Sequence, residues 1–179
     1  GRLIRGLGAG WHEPEFDAFG FPFDHRVSRL EEALQIITPL LRERTVDFRG
    51  EYHRAEDCEI RPRGPREDGV PVLVAAFAPR MMRLTARYAA QWTTDWLGPI
   101  SKVEADIATV REACEAEGRD PETLVITGGA TVAYPDLGKL PGWMSTPDSF
   151  LTGDAEGLAT QLVAYRDAGV GHVLTNLYP

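Results

Sequence analysis

Cysteine is nearly absent from this 179-residue chain: Cys58 and Cys114 stand in different segments, with no CxxC and no metal-ligand spacing. That pattern excludes a disulfide framework and a thiolate zinc site, and both thiols read as reduced and structural. Lysine is as scarce, Lys102 and Lys139 leaving 17 of the 19 basic residues as arginine, a bias of base composition and not of any site. Positive charge falls short of negative, and a net charge of −8 excludes a polyphosphate partner such as DNA or RNA, which needs a basic surface. It leaves room for a single phosphate held by backbone N–H groups. No apolar run approaches the ~18 residues of a membrane span. Residues 1–9 lack the charged lead-in and apolar core of a signal peptide, so a cytoplasmic location is the expectation. His25, His53 and His172 share no ligand spacing, so no metal is expected, and no Ser-His-Asp order, P-loop or repeat of fixed period occurs.

What is present is an alternation of strand-like and helix-like segments. A short apolar strand spans 2–9. From Asp24 to about Arg42, apolar residues at Val27, Leu30, Leu34, Ile37 and Leu41 have the spacing of an amphipathic helix, which Pro39 should kink or end. Residues 45–69 interrupt the pattern: VDFRGEYHR reads as a hairpin around Gly50, and RPRGPREDG as a turn-rich connector, together an insertion. VPVLVAA (70–76) is a β-branched run expected to be buried on both faces, and a helix follows from Pro79 to about Ala90. QWTTDW (91–96) is a strand; Ser101 with Glu104 reads as a capping box opening a helix with Val103, Ile107, Val110 and Cys114 on one face. LVITGGATVAY (124–134), a helix from about Asp154 to Ala168, and a last strand over 169–178 complete the order. Five strands, the first four each followed by a helix, give a parallel α/β sheet with right-handed crossovers. The chain begins inside a strand and stops just after one, short of the ~250 residues of a full barrel, so a truncated (β/α)₈ barrel fits better than a doubly wound sheet. One domain over 1–179 is expected, with the insertion at about 45–69.

Three places carry candidate chemistry. Gly6, Gly8 and Gly10 imitate a dinucleotide fingerprint, but that motif needs a helix directly after it, and Pro14, Gly20 and Pro22 exclude one. The glycines then serve close strand packing, or a strand end lying against a flat cofactor ring. Trp11 is a candidate pocket wall and His12 a candidate acid or base, while Glu13, Glu15 and Asp17 read as a solvated rim. AAFAPR (75–80) is the better phosphate site: a buried strand runs into a helix N-terminus, Ala75, Ala76 and Ala78 are small, and Arg80 adds a charge. The bland alternative is a plain βα turn with Arg80 solvated. Thr93, Thr94 and Asp95 end a strand at the same pole as Gly10 and Ala76, where hydroxyls could bond a phosphate or ribityl chain.

Taken together, GLGAGWHEPEFDAFGFPF, RLEEALQII, VDFRGEYHR, VPVLVAAFAPRMMRLTARYAAQW and LTGDAEGLATQLVAYRDAGVGHVL, in that order, resemble the luciferase-like monooxygenase family of flavin- and deazaflavin-dependent oxidoreductases. The resemblance implies a (β/α)₈ barrel of roughly twice this length, present here as about strands four to eight. It implies FMN or the deazaflavin coenzyme F-420 (F420) across the C-terminal mouth, a small-molecule substrate, and hydride transfer or oxygen activation at the bound ring. By the same resemblance, Ala75, Ala76, Phe77, Ala78 and Arg80 lie at the cofactor phosphate, and Gly10, Trp11 and His12 beside its ring; Thr94, from its strand end, is expected at the phosphate as well. Tyr134 and Tyr178, at later strand ends, wall the substrate pocket. Phe77 and Ala78 replace the family's usual glycine pair, and Trp11 stands where some deazaflavin enzymes carry a glutamate, so their acid/base assignment does not transfer. The alternative is a non-catalytic truncated barrel that binds flavin weakly or serves as an assembly partner. The open strand edges imply either a longer parent chain or a homo-oligomer.

Overall fold

The computed structural model describes residues 2–62, 64–134, 138, 142, 148 and 150–178. They fall into two compact units, the first running to Val74 and adding Tyr88–Ala90, the second comprising Ala75–Arg87 and the chain from Gln91 on.

In the first unit, strand β1 is shorter than its apolar run: only Arg5–Leu7 joins a ladder, pairing in parallel with the start of β4 (Val72–Ala75) through Arg5↔Val72 and Leu7↔Val74. Helix α1 (Glu13–Phe19) follows the glycines, where the prolines were expected to forbid helix. Pro14 falls within the first two helical positions, where its missing N–H has no intrahelical partner to lose, and Gly20 at φ +72° closes the turn. Helix α2 (Arg26–Glu43) likewise runs through Pro39, burying Leu30, Leu34 and Thr38 on one stripe. The proline stands late enough that one turn follows it before Arg44, at φ +76°, ends the helix. The expected hairpin forms as β2 (Thr45–Arg49) and β3 (Arg54–Glu59), antiparallel with an irregularity between Val46 and Phe48. It is docked on α2 by one carboxylate: Glu32 accepts N–H bonds from Glu51, Tyr52 and His53 at 2.7, 2.9 and 2.8 Å.

The second unit carries α3 (Pro79–Tyr88, up to Arg87), β5 (Gln91–Trp96), α4 (Ile100–Ala116), β6 (Val125–Ala133), α5 (Ala155–Asp167) and β7 (His172–Tyr178). β6 lies between β5 and β7, both parallel to it. The core is built on Trp92, Leu97, Val103, Ile107 and Val110, all buried, with the helical four-residue stripe of α4 falling where the sequence pattern put it. The capping box does not form: α4 starts one residue earlier, at Ile100, with Pro99 as N-cap and no side-chain cap bond. Pro99 fixes the entry angle without needing a side-chain acceptor. Asp154 does cap α5, accepting from the Gly157 N–H at 2.8 Å. The run 70–76 is buried on one face only, Val72 and Val74 being buried and Leu73 and Ala75 half-buried.

Candidate functional site

The first candidate is the corner after β1. Gly10 takes φ +77°, and a Cβ there would come within 2.5 Å of the Phe16 ring, so the position requires glycine on both counts. Arg26 holds the corner from α2, its Nε donating to the Gly10 carbonyl at 3.1 Å while its guanidinium lies 4.5 Å from the Phe23 ring centroid. Phe16 and Phe23 meet edge to face at 5.1 Å. On this support Trp11 projects 83% exposed, with the His12 ring tilted against it at 5.0 Å. His12 is the N-cap residue of α1 but makes no capping bond with its side chain, and its imidazole is exposed. Glu13, Glu15 and Asp17 stand exposed along α1, which turns the expected loop rim into a helical one.

The second candidate is the turn between β4 and α3. Ala76 is buried; its N–H donates to the Thr93 carbonyl at 3.4 Å and its carbonyl accepts from Trp92 Nε1 at 2.9 Å. Those two bonds fix the backbone just ahead of the exposed stretch Phe77–Arg80. Helix α3 then opens at Pro79 with no acidic residue in its first turn. The N–H groups of a first helical turn have no intrahelical acceptor, and the helix dipole favours an anion there. Ala78 is small and exposed, and Arg80 lies within the same turn. The donor set fits a phosphate. Phe77, 63% exposed, sets an aromatic face beside it.

Thr94, at the end of the same strand as Trp92, bonds side chains of α4. Its hydroxyl donates to Asp106 Oδ2 of α4 at 3.0 Å, with Lys102 Nζ at 3.4 Å, and the residue is 3% exposed. Strand alternation sends Thr94 to the side of Trp92 and α4, leaving Thr93 for the opposite face. Tyr134 and Tyr178 end neighbouring strands, since Ala133 pairs with Tyr178 in the β6–β7 ladder, and both side chains are half-buried. The sequence reading missed Trp92 as the clamp on the turn and Arg26 as the support of the Gly10 corner. Trp92 sat in an alternating strand with no signal of its long-range acceptor; Arg26 was one arginine among 17.

Among the described residues no group of three or more His, Cys, Asp or Glu side chains gathers to hold a metal, and no helix is long and apolar enough to cross a membrane. Cys58 and Cys114 are both free thiols, and burial pushes the Cys114 thiol above its usual range.

Comparison with known proteins gives the family and the fold. The sequence profile of luciferase-like monooxygenases matches residues 1–136. A phthiodiolone/phenolphthiodiolone dimycocerosates ketoreductase of Mycobacterium kansasii is 30% identical over 127 residues, 70% of this chain and 34% of that protein. The chain therefore spans about a third of that relative's length. Among solved structures, an F420-dependent secondary alcohol dehydrogenase in complex with an F420-acetone adduct superposes on all of this chain and 65% of its own, with a TM-score of 0.80 at 18% identity. A coenzyme F420-dependent tetrahydromethanopterin reductase from Methanopyrus kandleri gives 0.74 at 15% identity, over all of this chain and 70% of its own. The fold is that of a partial (β/α)₈ barrel of the luciferase-like type.

Proposed function

The chain belongs to the luciferase-like monooxygenase family, and on that premise we propose that it is the cofactor-phosphate-binding part of an oxidoreductase that uses FMN or F420 on a small-molecule substrate. The observation that supports this most is the Ala75–Arg80 turn: the first turn of α3 with no acidic residue in it, entered through small residues and fixed by Trp92. The backbone donors after Ala76 and the Arg80 side chain hold the phosphate. When bound, such a cofactor supplies a ring that takes or gives a hydride, or activates oxygen. The chain's own residues bind, orient and exclude water around it.

In the first unit, the Gly10–His12 corner is the candidate for ring contact, because glycine at φ +77° brings bare backbone to the surface beside the Trp11 ring. His12, exposed at the N-cap, is the candidate to hold or move a proton at an imidazole nitrogen. In the second unit, Tyr134 and Tyr178 are the candidate substrate walls. Thr94 has no part in this proposal, its hydroxyl being bonded to Asp106.

The test is a visible-absorption titration of the purified chain with FMN and with F420 separately. Saturable spectral perturbation by one of them, competed by inorganic phosphate, is the expected result. Absence of saturable binding by either overturns the proposal. Binding without turnover of any added ketone or alcohol would leave a binding module in place of an enzyme.

A further inference from the structure

At the end of β5 the ladder to β6 opens. Thr93 pairs with Thr127 but Trp96 with Gly129, so β5 carries one surplus residue, absorbed where Asp95 takes φ +67°. Beyond that point the edge of β6 is taken over by Leu151, whose N–H donates to the Thr131 carbonyl at 2.7 Å and whose carbonyl accepts from the Ala133 N–H at 2.9 Å. Between the departing β5–α4 connection and this substitute edge lies a cavity of about 310 Å³.

The walls are rings and apolar surface: Trp96, Phe150 and Tyr165, with Pro99 and Leu151. They are held in place. Tyr165 donates its hydroxyl to the Gly98 carbonyl at 2.7 Å, and burial raises that phenol above its usual range, which keeps it a donor. A Cβ on Gly129 would fall 2.9 Å from the Trp96 ring, so the indole is seated directly on the β6 backbone. Charge at the cavity is either satisfied or negative: the Lys102 amine donates to Asp106 Oδ2 at 2.6 Å, and Asp148 adds a carboxylate. Thr131 also lines the space; it is 2% exposed, and among the described residues its hydroxyl finds no hydrogen-bond partner.

We propose that this cavity binds a small neutral ring compound bearing one hydroxyl or carbonyl, the ring between Trp96, Phe150 and Tyr165 and the oxygen on the Thr131 hydroxyl. An unmet buried hydroxyl is destabilising, and a ligand oxygen that reaches it removes the penalty. The apolar walls supply the affinity, and the volume is at the low end of small-molecule sites. An anion is disfavoured by Asp148 and gains nothing from a lysine already paired. None of the lining residues belongs to the Ala75–Arg80 turn, and the inference does not depend on the cofactor reading.

The experiment uses the full ¹⁵N-labelled chain without cofactor, titrated with p-cresol, toluene and p-toluate while the Gly98 and Gly129 amides are followed. p-Cresol is expected to shift both saturably and to bind about 2- to 10-fold tighter than toluene, the range of one net hydrogen bond, with p-toluate weakest. Thr131→Val, which keeps the shape and deletes the hydroxyl, is expected to abolish the preference while toluene still binds. Phe150→Ala is expected to weaken both neutral ligands. Equal affinity of p-cresol and toluene for the unmodified chain overturns the proposal without any variant. So do p-toluate binding as tightly as p-cresol, shifts that never saturate, and a preference that survives in a folded Thr131→Val.

Discussion

The indole N–H of Trp92 donates to the carbonyl of Ala76 at 2.9 Å, and both residues are buried, 1% exposed each. A strand residue sixteen positions downstream thus fixes a backbone carbonyl within the Ala75–Arg80 turn. Trp92→Phe keeps most of the apolar volume and removes the donor. The expected cost is about 1–3 kcal/mol of stability, from a buried carbonyl that loses this partner. Affinity for FMN or F420 should fall together with it, read by denaturant unfolding and by cofactor titration.

Ala78 precedes the first helical residue of α3, the position at which an aspartate caps a helix best. Ala78→Asp should therefore raise stability, by about 0.5–1 kcal/mol, while repelling a phosphate from the same N–H groups. Opposite signs in thermal midpoint and cofactor affinity are the expected outcome. A stabilised variant that still binds FMN or F420 undiminished would separate the turn from the phosphate.

Glu32 ties the β2–β3 hairpin to α2. Burial acts to raise its carboxyl pKa, but the N–H bonds from Tyr52, Glu51 and His53, with the nearby His53 charge, outweigh it and hold the group below its ordinary value. A depressed carboxylate contributes stability that is present above the unfolded-state pKa and is lost as pH falls through the folded-state value. The hairpin should therefore loosen on acidification below the ordinary glutamate range. Glu32→Gln should be less stable than the parent at neutral pH and flatter in its acid profile, read by hydrogen exchange at Tyr52 and His53.

Gly10→Ala combines a left-handed backbone with a collision against the Phe16 ring. A loss of about 1–3 kcal/mol is expected, with Trp11 fluorescence reporting a displaced corner. A neutral effect on unfolding would mean that the Phe16–Phe23 pair yields at little cost.

Much of this was legible from residues alone. The β-branched run before Pro79, the α4 stripe of Val103, Ile107, Val110 and Cys114, and the hairpin at Gly50 are local patterns, and each formed close to where it was expected. Other expectations failed where a local rule met a compensating position. Pro14 was read as a helix breaker yet sits at a helix start, and Pro39 is carried by a helix whose buried stripe extends to Thr38. The capping box at Ser101 gave way to Pro99.

By itself, then, the sequence determined the alternation of strands and helices, the family, the need for glycine-bearing corners, and the small-residue turn at Ala75–Arg80. These follow from periodicity and from residue types whose backbone preferences act over a few positions. Tertiary structure alone decided which face each strand residue joined and which partner it met. That is why Thr94 bonds Asp106 and why Trp92 clamps Ala76. It also decided the surplus residue at Asp95 that opens a ring-lined cavity beside Thr131. Ladder register and side-chain partners join residues distant in the chain, and the pairing that wins is set by packing of the whole unit.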